Sequence, residues 1–565
     1  MRSLPIVPAI ALALVLVVAG CAAPVGPASE APSDTTVPTV SGTNADGDGD
    51  SSSPGAEGES DAETSGTDAT NGTDATAGPS EGSPEGTEST GSPTPRPDPA
   101  SDRRGWEGGY WHDDPVAVTP GDGLDGSELD AVVARAMARV ELIRGIEFDR
   151  DVPVRVLSRD EYRAERASSG DGSGADRERR DARTIDSGRY RALFLVGDRE
   201  NATRREQETR SQSILGYYDV GEDRIVIVSD AETPTLDEVT LAQELAHAYQ
   251  FRSLDLRLPR NPTDDEVRAL VALIEGDANL VDRLYEKRCE GAWECVGSTE
   301  TGTGAGDARD AGTGGDTGTD DTGTDDTADR KPDSNASGVH MGLYLLEYFP
   351  YAEGESLVRD ARADGGWDAV AHLYENPPRS SEQVIHPEKI GRDSPERVDV
   401  PDRSRGDWRR VTRPDGGSTA TVGEAGIATM FMYGAYDDRP GAVVPRSAFL
   451  NVEDGRVNET DPVDYALNYS TGWAGDALAV YDRPDGSIGY VWRIRWDDPD
   501  EAREFVDGYR ALLSYHDGTD RGAYWRLDDD FGGAYAVRVD GRTVTIVHAP
   551  TADGLDAVWP GATKS

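Results

Sequence analysis

From residue 22 to residue 105 the chain holds no aromatic side chain and is built mostly of Gly, Ser, Thr, Ala, Pro, Asp and Glu. Up to Thr94 this stretch carries 14 acidic side chains and no basic one. It contains too little apolar surface to offset the entropy of ordering its backbone, and so reads as a disordered acidic tether over 21–105. As a flexible coil it reaches roughly 50 Å, and self-repulsion lengthens it. A second stretch, 297–338, repeats Thr-Gly-Thr-Asp-Asp and lacks any large apolar side chain. It reads as a low-complexity insert inside a folded body. A core must therefore come from what remains after Trp106.

The opening residues, 1–20, carry one positive side chain, Arg2, and then an uncharged apolar run from Ile6 to Ala19. The run is too short to span a membrane and reads as a signal peptide without a twin arginine. It ends Val18-Ala19-Gly20-Cys21. Small residues directly before a cysteine resemble a lipoprotein signal. That resemblance implies lipidation at Cys21 and display on the extracellular face of the membrane; the alternative is an ordinary secretory signal. Asn71, Asn201, Asn335, Asn458 and Asn468 each begin an Asn-x-Ser/Thr sequon, a candidate for glycosylation in an exported protein. Cys289 and Cys295 have five residues between them. Export favours a local disulfide, whereas a metal site would need two more soft ligands.

The chain has 107 acidic and 57 basic side chains, a formal charge of −50, and lysine only at 287, 331, 389 and 564. Such a charge excludes nucleic acid and anionic surfaces as electrostatic partners. It also makes collapse easier in concentrated salt. Acidic tails alone do not account for the missing lysine, and the composition resembles proteins of extreme halophiles.

The spacing predicts a helix from Ser127 as cap through Ile143, strands at Val154–Leu157 and Tyr190–Val196, and a hairpin over Gly216–Val228. A helix opening with Thr235 as cap follows, carrying Leu241, Leu245 and Ala248 on its packing stripe. Gln243 and His247 project together from this helix with Glu244 beside them. A second helix, Asp264–Lys287, holds Glu275 at the edge of its apolar face. The following Gly276 permits close approach, and placed against the first helix Glu275 meets His247.

The run Gln243-Glu244-Leu245-Ala246-His247-Ala248-Tyr249-Gln250, followed by Glu275-Gly276-Asp277-Ala278, resembles gluzincin-clan zinc peptidases. Their helix carries His-Glu-x-x-His and a following helix supplies a glutamate. Phe349-Pro350-Tyr351, Gly365-Gly366-Trp367 and the Asn376–Glu388 segment resemble the same group, most closely surface lipoproteins of halophilic archaea. The resemblance implies that His247 and Glu275 are zinc ligands and that Glu244 is the general base. Gln243 stands where the pattern has a zinc-binding histidine, and a neutral amide is a weak zinc ligand. Three readings follow: a hydrogen-bonded network tying two helices, a working zinc hydrolase with His386 as a possible replacement ligand, or a site for a harder metal. The remaining histidines, 112, 340, 372, 516 and 548, are scattered singly.

Further on, the pattern predicts a helix over Val422–Tyr436, strands at Asp476–Tyr481 and Gly489–Trp496, and a helix over Asp498–Tyr515. Strands at Ala534–Val539 and Thr543–His548 follow, turning at Asp540-Gly541. Trp473, Trp492, Trp496 and Trp525 read as core. The expected architecture is α+β: a gluzincin-like domain over 106–415 containing the insert, and a C-terminal β-β-α-β-β module over 416–565. The expected function is a lipid-anchored surface protein. It either binds extracellular peptides or envelope proteins without catalysis, or is an active zinc peptidase.

Overall fold

A computed structural model describes residues 97–564 apart from 119–122, 169–175, 212–215, 230, 232–235, 255, 257–260, 298–338, 414–415, 438, 454 and 459. The signal segment, Cys21, nearly all of the tether, Asn71, Thr235, and the insert with Asn335 lie outside the described residues. The described part is a mixed α+β structure. None of its helices is long and apolar enough to cross a membrane.

Strands β1 (Trp106–Glu107) and β2 (Tyr110–Trp111) precede helix α1 (Gly126–Arg144), β3 (Val154–Leu157), α2 (Arg159–Ser168), α3 (Asp176–Ala192) and α4 (Ala202–Ser211). Then come β4 (Gly216–Asp219), β5 (Arg224–Val228), α5 (Glu238–Ser253), α6 (Asp264–Cys289), α7 (Met341–Glu375) and α8 (Ser381–Ile385). The C-terminal part holds β6 (Arg409–Arg410), α9 (Gly423–Tyr433), β7 (Val452–Glu453), β8 (Arg456–Val457), β9 (Trp473–Asp482), β10 (Ile488–Trp496) and α10 (Pro499–Tyr515). It closes with β11 (Thr519–Asp520), β12 (Trp525–Leu527), β13 (Gly533–Asp540), β14 (Thr543–Ala549) and α11 (Ala552–Val558).

A small sheet of order β3-β5-β4, parallel then antiparallel, feeds directly into α5. The C-terminal sheet is antiparallel throughout, in the order β11-β12-β13-β14-β10-β9-β6. The expected β-β-α-β-β order is its centre, and the short strands at its margins are additions. Alternation gives each strand two faces. Leu478, Val480, Trp492 and Ile546 face one core with α10, whereas Ala477, Ala479, Ala534 and Ala549 face a second with α11. The larger core draws on Phe349 and Val384 as well as Trp492 and Ile546, so it crosses the boundary expected at 415/416.

Three local expectations are corrected and a fourth is made specific. Helix α1 is capped by Asp125, whose carboxylate accepts from the Ser127 and Glu128 amides while Glu128 reaches back, so Ser127 lies inside the helix. Residues 190–196 are the end of α3 and the turn leaving it, not a strand. The run is apolar because Tyr190, Leu193, Phe194 and Leu195 are all buried in the core. The cap of α5 is Asp237, and Glu238 does not close a capping box but lies fully buried. Gly276 does permit a close approach, but to α7: a Cβ there would stand 2.0 Å from the Gly354 carbonyl oxygen.

Buried Glu238 is the knot of the N-terminal half. Its oxygens accept from Arg135 Nη2 at 2.7 Å, Arg139 Nη1 at 2.8 Å, Tyr285 Oη at 2.6 Å and the Val296 amide at 2.9 Å. Arg139 also stacks 4.7 Å from the Trp293 ring, inside the loop that the Cys289–Cys295 disulfide closes. Replacing Glu238 by Ala would leave two buried guanidinium groups unpaired. We expect about 3–5 kcal/mol of destabilisation, measured by urea unfolding in concentrated KCl. Because the pair is out of reach of solvent, added salt does not reduce the loss.

Candidate functional site

Helices α5 and α6 lie side by side and bring Gln243, Glu244, His247 and Glu275 into one buried group, each 6% exposed or less. The His247 ring is held at both nitrogens. Nδ1 donates to Gln250 Oε1 at 2.9 Å, and Nε2 faces Glu275 Oε2 at 3.4 Å. The direction of the first bond is set by the Gln250 amide, whose Nε2 donates to the Ile274 carbonyl at 2.9 Å and to Tyr374 Oη at 3.0 Å. Tyr374 in turn donates to Asp277 Oδ2 at 2.9 Å, and Asp277 is clamped by Arg144, Nε to Oδ1 at 2.9 Å. A kink at Gly365 and Gly366 returns Trp367 onto that guanidinium, 4.1 Å from its centre. A relay thus runs Arg144–Asp277–Tyr374–Gln250–His247–Glu275 across α1, α5, α6 and α7.

Position 243 belongs to a different set of bonds. Asn279, one turn after Glu275, donates its amide to the Tyr351 carbonyl at 3.4 Å, which turns its Oδ1 toward α5. Gln243 Nε2 donates to that oxygen at 3.0 Å. His386 is engaged elsewhere: its Nε2 pairs with Glu424 Oε1, on α9, at 3.2 Å. Among the described residues the zinc donor set implied by the resemblance is therefore incomplete. His247 and Glu275 stand as close as two ligands of one zinc, about 3.3 Å apart, but no third strong ligand among the described residues joins them, and position 243 is an amide engaged elsewhere.

Burial raises the Glu244 carboxyl to about 7, although nearby His247 and a backbone hydrogen bond from Tyr218 pull it down. Burial alone would lower His247, but the charge and hydrogen bond of Glu275 outweigh it and lift the imidazole to about 9. Glu244 lies at the wall of a cleft of about 560 Å³ between β4, β5 and the start of α5, lined also by Gly216, Ile225, Ile227 and Thr240. Strand β4 is an edge of its sheet.

The described residues bring one group of three carboxylates within 4.8 Å of one another: Glu382, Asp393 and Asp497. Such a group can hold a cation, and here the Lys389 ammonium sits among them, 2.5 Å from Glu382, 2.9 Å from Asp497 and 3.9 Å from Asp393. Of the sequons, Asn201 and Asn468 are exposed, whereas Asn458 is half-buried and its Oδ1 accepts from Thr460 and Asp461. Gln250, Asp277, Asn279, Tyr374 and Arg144 were not singled out for a role in the site. The available signal was spacing: Gln250 three past His247 and Asn279 four past Glu275 place each on the same helix face.

The His247–Glu275 pair sets a pH window. The imidazole's raised value means its stabilisation is complete below pH 6.5 and is lost as the pH rises through about 9. Glu275→Gln removes the largest raising influence and leaves burial opposed only by Glu244 and Gln250, so His247 is expected to titrate lower in the variant than in the natural chain. Imidazole NMR titration reads this directly.

In comparisons with known proteins, residues 409–559 match a family described as a domain of unknown function (DUF8575), about a quarter of the chain. No curated protein matches, and no solved structure matches.

Proposed function

We propose that this chain is a non-catalytic peptide-binding protein of the cell envelope. It is held on the extracellular face of the membrane by a lipid on Cys21 and built around a gluzincin-like core whose zinc chemistry is switched off. The observation that carries the reading is the Gln243–Asn279 hydrogen bond, 3.0 Å long, at the position where a zinc ligand would be required. His247 and Glu275 meanwhile satisfy each other as an ion pair. What remains is a cleft beside an edge strand, the setting in which an extended peptide adds main-chain hydrogen bonds to a sheet.

A competing reading is an active zinc-dependent peptidase with Glu244 as general base. Two observations favour it: the His247 and Glu275 ligand atoms are adjacent, and Glu244 is poised at about 7. Asn279 separates the two readings. Its oxygen is fixed toward position 243, so a histidine there would donate Nδ1–H to it and turn Nε2 to the space beside His247 and Glu275.

Metal content by mass spectrometry, on protein purified in concentrated KCl, decides between them. We expect no stoichiometric zinc in the natural chain and close to one equivalent in Gln243→His. Near-stoichiometric zinc in the natural chain would sink the non-catalytic reading. As a second arm, Glu244→Gln should leave peptide affinity within about twofold on the first reading and abolish hydrolysis on the second.

A further inference from the structure

A second polar cavity, about 260 Å³, lies where the ends of α3, α9 and α10 meet the start of α7 and the loop before β13. Two hydrogen-bonded relays end in it. In the first, the Asp529 carboxylate, which can only accept, accepts a hydrogen bond from His516 Nδ1–H at 2.9 Å. The same carboxylate holds Arg439 at 2.9 Å and the Phe531 amide at 2.9 Å, so its position is fixed. His516 is 4% exposed. Its ring is stacked on Phe194 at 4.8 Å and meets Phe531 edge-on at 5.0 Å. Its Nε2 has no protein partner among the described residues and is not among the enclosed unpaired atoms, so this nitrogen meets the cavity.

In the second relay, His340 Nδ1 accepts the Leu343 amide at 3.3 Å, which places the ring proton on Nε2. Burial lowers His340, keeping it neutral. Nε2 therefore donates to Tyr433 Oη at 3.3 Å, and the tyrosine's own hydroxyl proton is left to point into the cavity. One wall thus presents an acceptor and another a donor. Phe194 and Asp517 bracket His516 with φ of 54° and 55°, and a bulky aromatic in the left-handed region is strained.

The arginines around this cavity are already paired, and carboxylates outnumber them, since Asp437 in its wall shares Arg439 with Asp529. Arg205 pairs with Glu200 at 2.8 Å, Arg439 with Asp529 at 2.9 Å and Arg199 with Asp530 at 2.9 Å. An anionic ligand would add to that acidic excess, with no spare cation to offset its desolvation. Paired ions do retain spare in-plane donors and acceptors, and Tyr433, Tyr436 and Phe531 add ring surface. We propose that this cavity binds a neutral, polyhydroxylated ring the size of one monosaccharide. One hydroxyl of the ring donates to His516 Nε2 and another oxygen accepts from Tyr433. The site is separate from the cleft between β4, β5 and α5 and does not rest on its function.

The test is saturation-transfer NMR on the full-length protein in concentrated KCl, with glucose, galactose, mannose and N-acetylglucosamine as probes. At least one should bind saturably, and Tyr433→Phe and His516→Gln should each weaken it about tenfold. Tyr433→Phe keeps the ring that stacks on His340, so it reports on the hydroxyl even where His516→Gln disturbs folding. Gln243→His should leave the affinity unchanged. No binding by any of the four sugars, or an unchanged affinity in Tyr433→Phe, would overturn the proposal. So would inorganic phosphate displacing the sugar, which would make this an anion site.

Discussion

At Gly276 and Gly354 two long helices cross backbone to backbone. A Cβ on either residue would stand 2.0 Å from a main-chain oxygen of the other helix. That spacing is a hard constraint, because main-chain atoms cannot move aside as a flexible side chain can. The residues flanking Gly276 take their places from it. Glu275 is delivered to His247, and Asp277 to Arg144 and Tyr374. Asn279 is delivered between Gln243 and the Tyr351 carbonyl on the crossing helix. Any residue larger than glycine at 276 would separate α6 from α7 and pull the Asp277–Tyr374 and Asn279–Tyr351 contacts apart together.

The interior charges of this protein differ from those on its surface. Outside, acidic side chains far outnumber basic ones. Inside, two carboxylates are held by arginine together with further hydrogen bonds: Glu238 and Asp277. Asp476 follows the same rule without a cation. Its oxygens take the Val422 and Gly423 amides at the start of α9 and the indole N–H groups of Trp473 and Trp492. One carboxylate thereby ties the C-terminal sheet to the helix that carries Tyr433 toward the second cavity. Four donors and the positive end of a helix make such a burial tolerable.

The sequence was informative wherever one face of an element decides its fate. The stripe of α5, the two long strands β9 and β10, and the capped helix at Asp498 are visible as periodicity and end signals. Short strands such as β6 and β11 are two residues long and leave no period to read. The run 190–196 misleads because burial on all sides makes a turn look like a strand. At the site, the pairing of His247 with Glu275 could be anticipated from helix spacing. The partner of Gln243 could not, because Asn279 is oriented by a carbonyl on α7, beyond the insert. His516 and His340 read as singly scattered because their partners, Asp529 and Tyr433, are distant in sequence and follow no helix or strand period.

Lys389, one of four lysines in the chain, lies among Glu382, Asp393 and Asp497. A dissolved ion in that place would be governed by its concentration, arriving and leaving as the medium changes. A charge on a four-carbon stem has no such equilibrium: its effective concentration is set by the chain and does not fall on dilution. The link it makes between α8 and Asp497, just before α10, therefore persists when salt is withdrawn. It also cannot be exchanged, so this corner of the molecule is insensitive to which cation surrounds it.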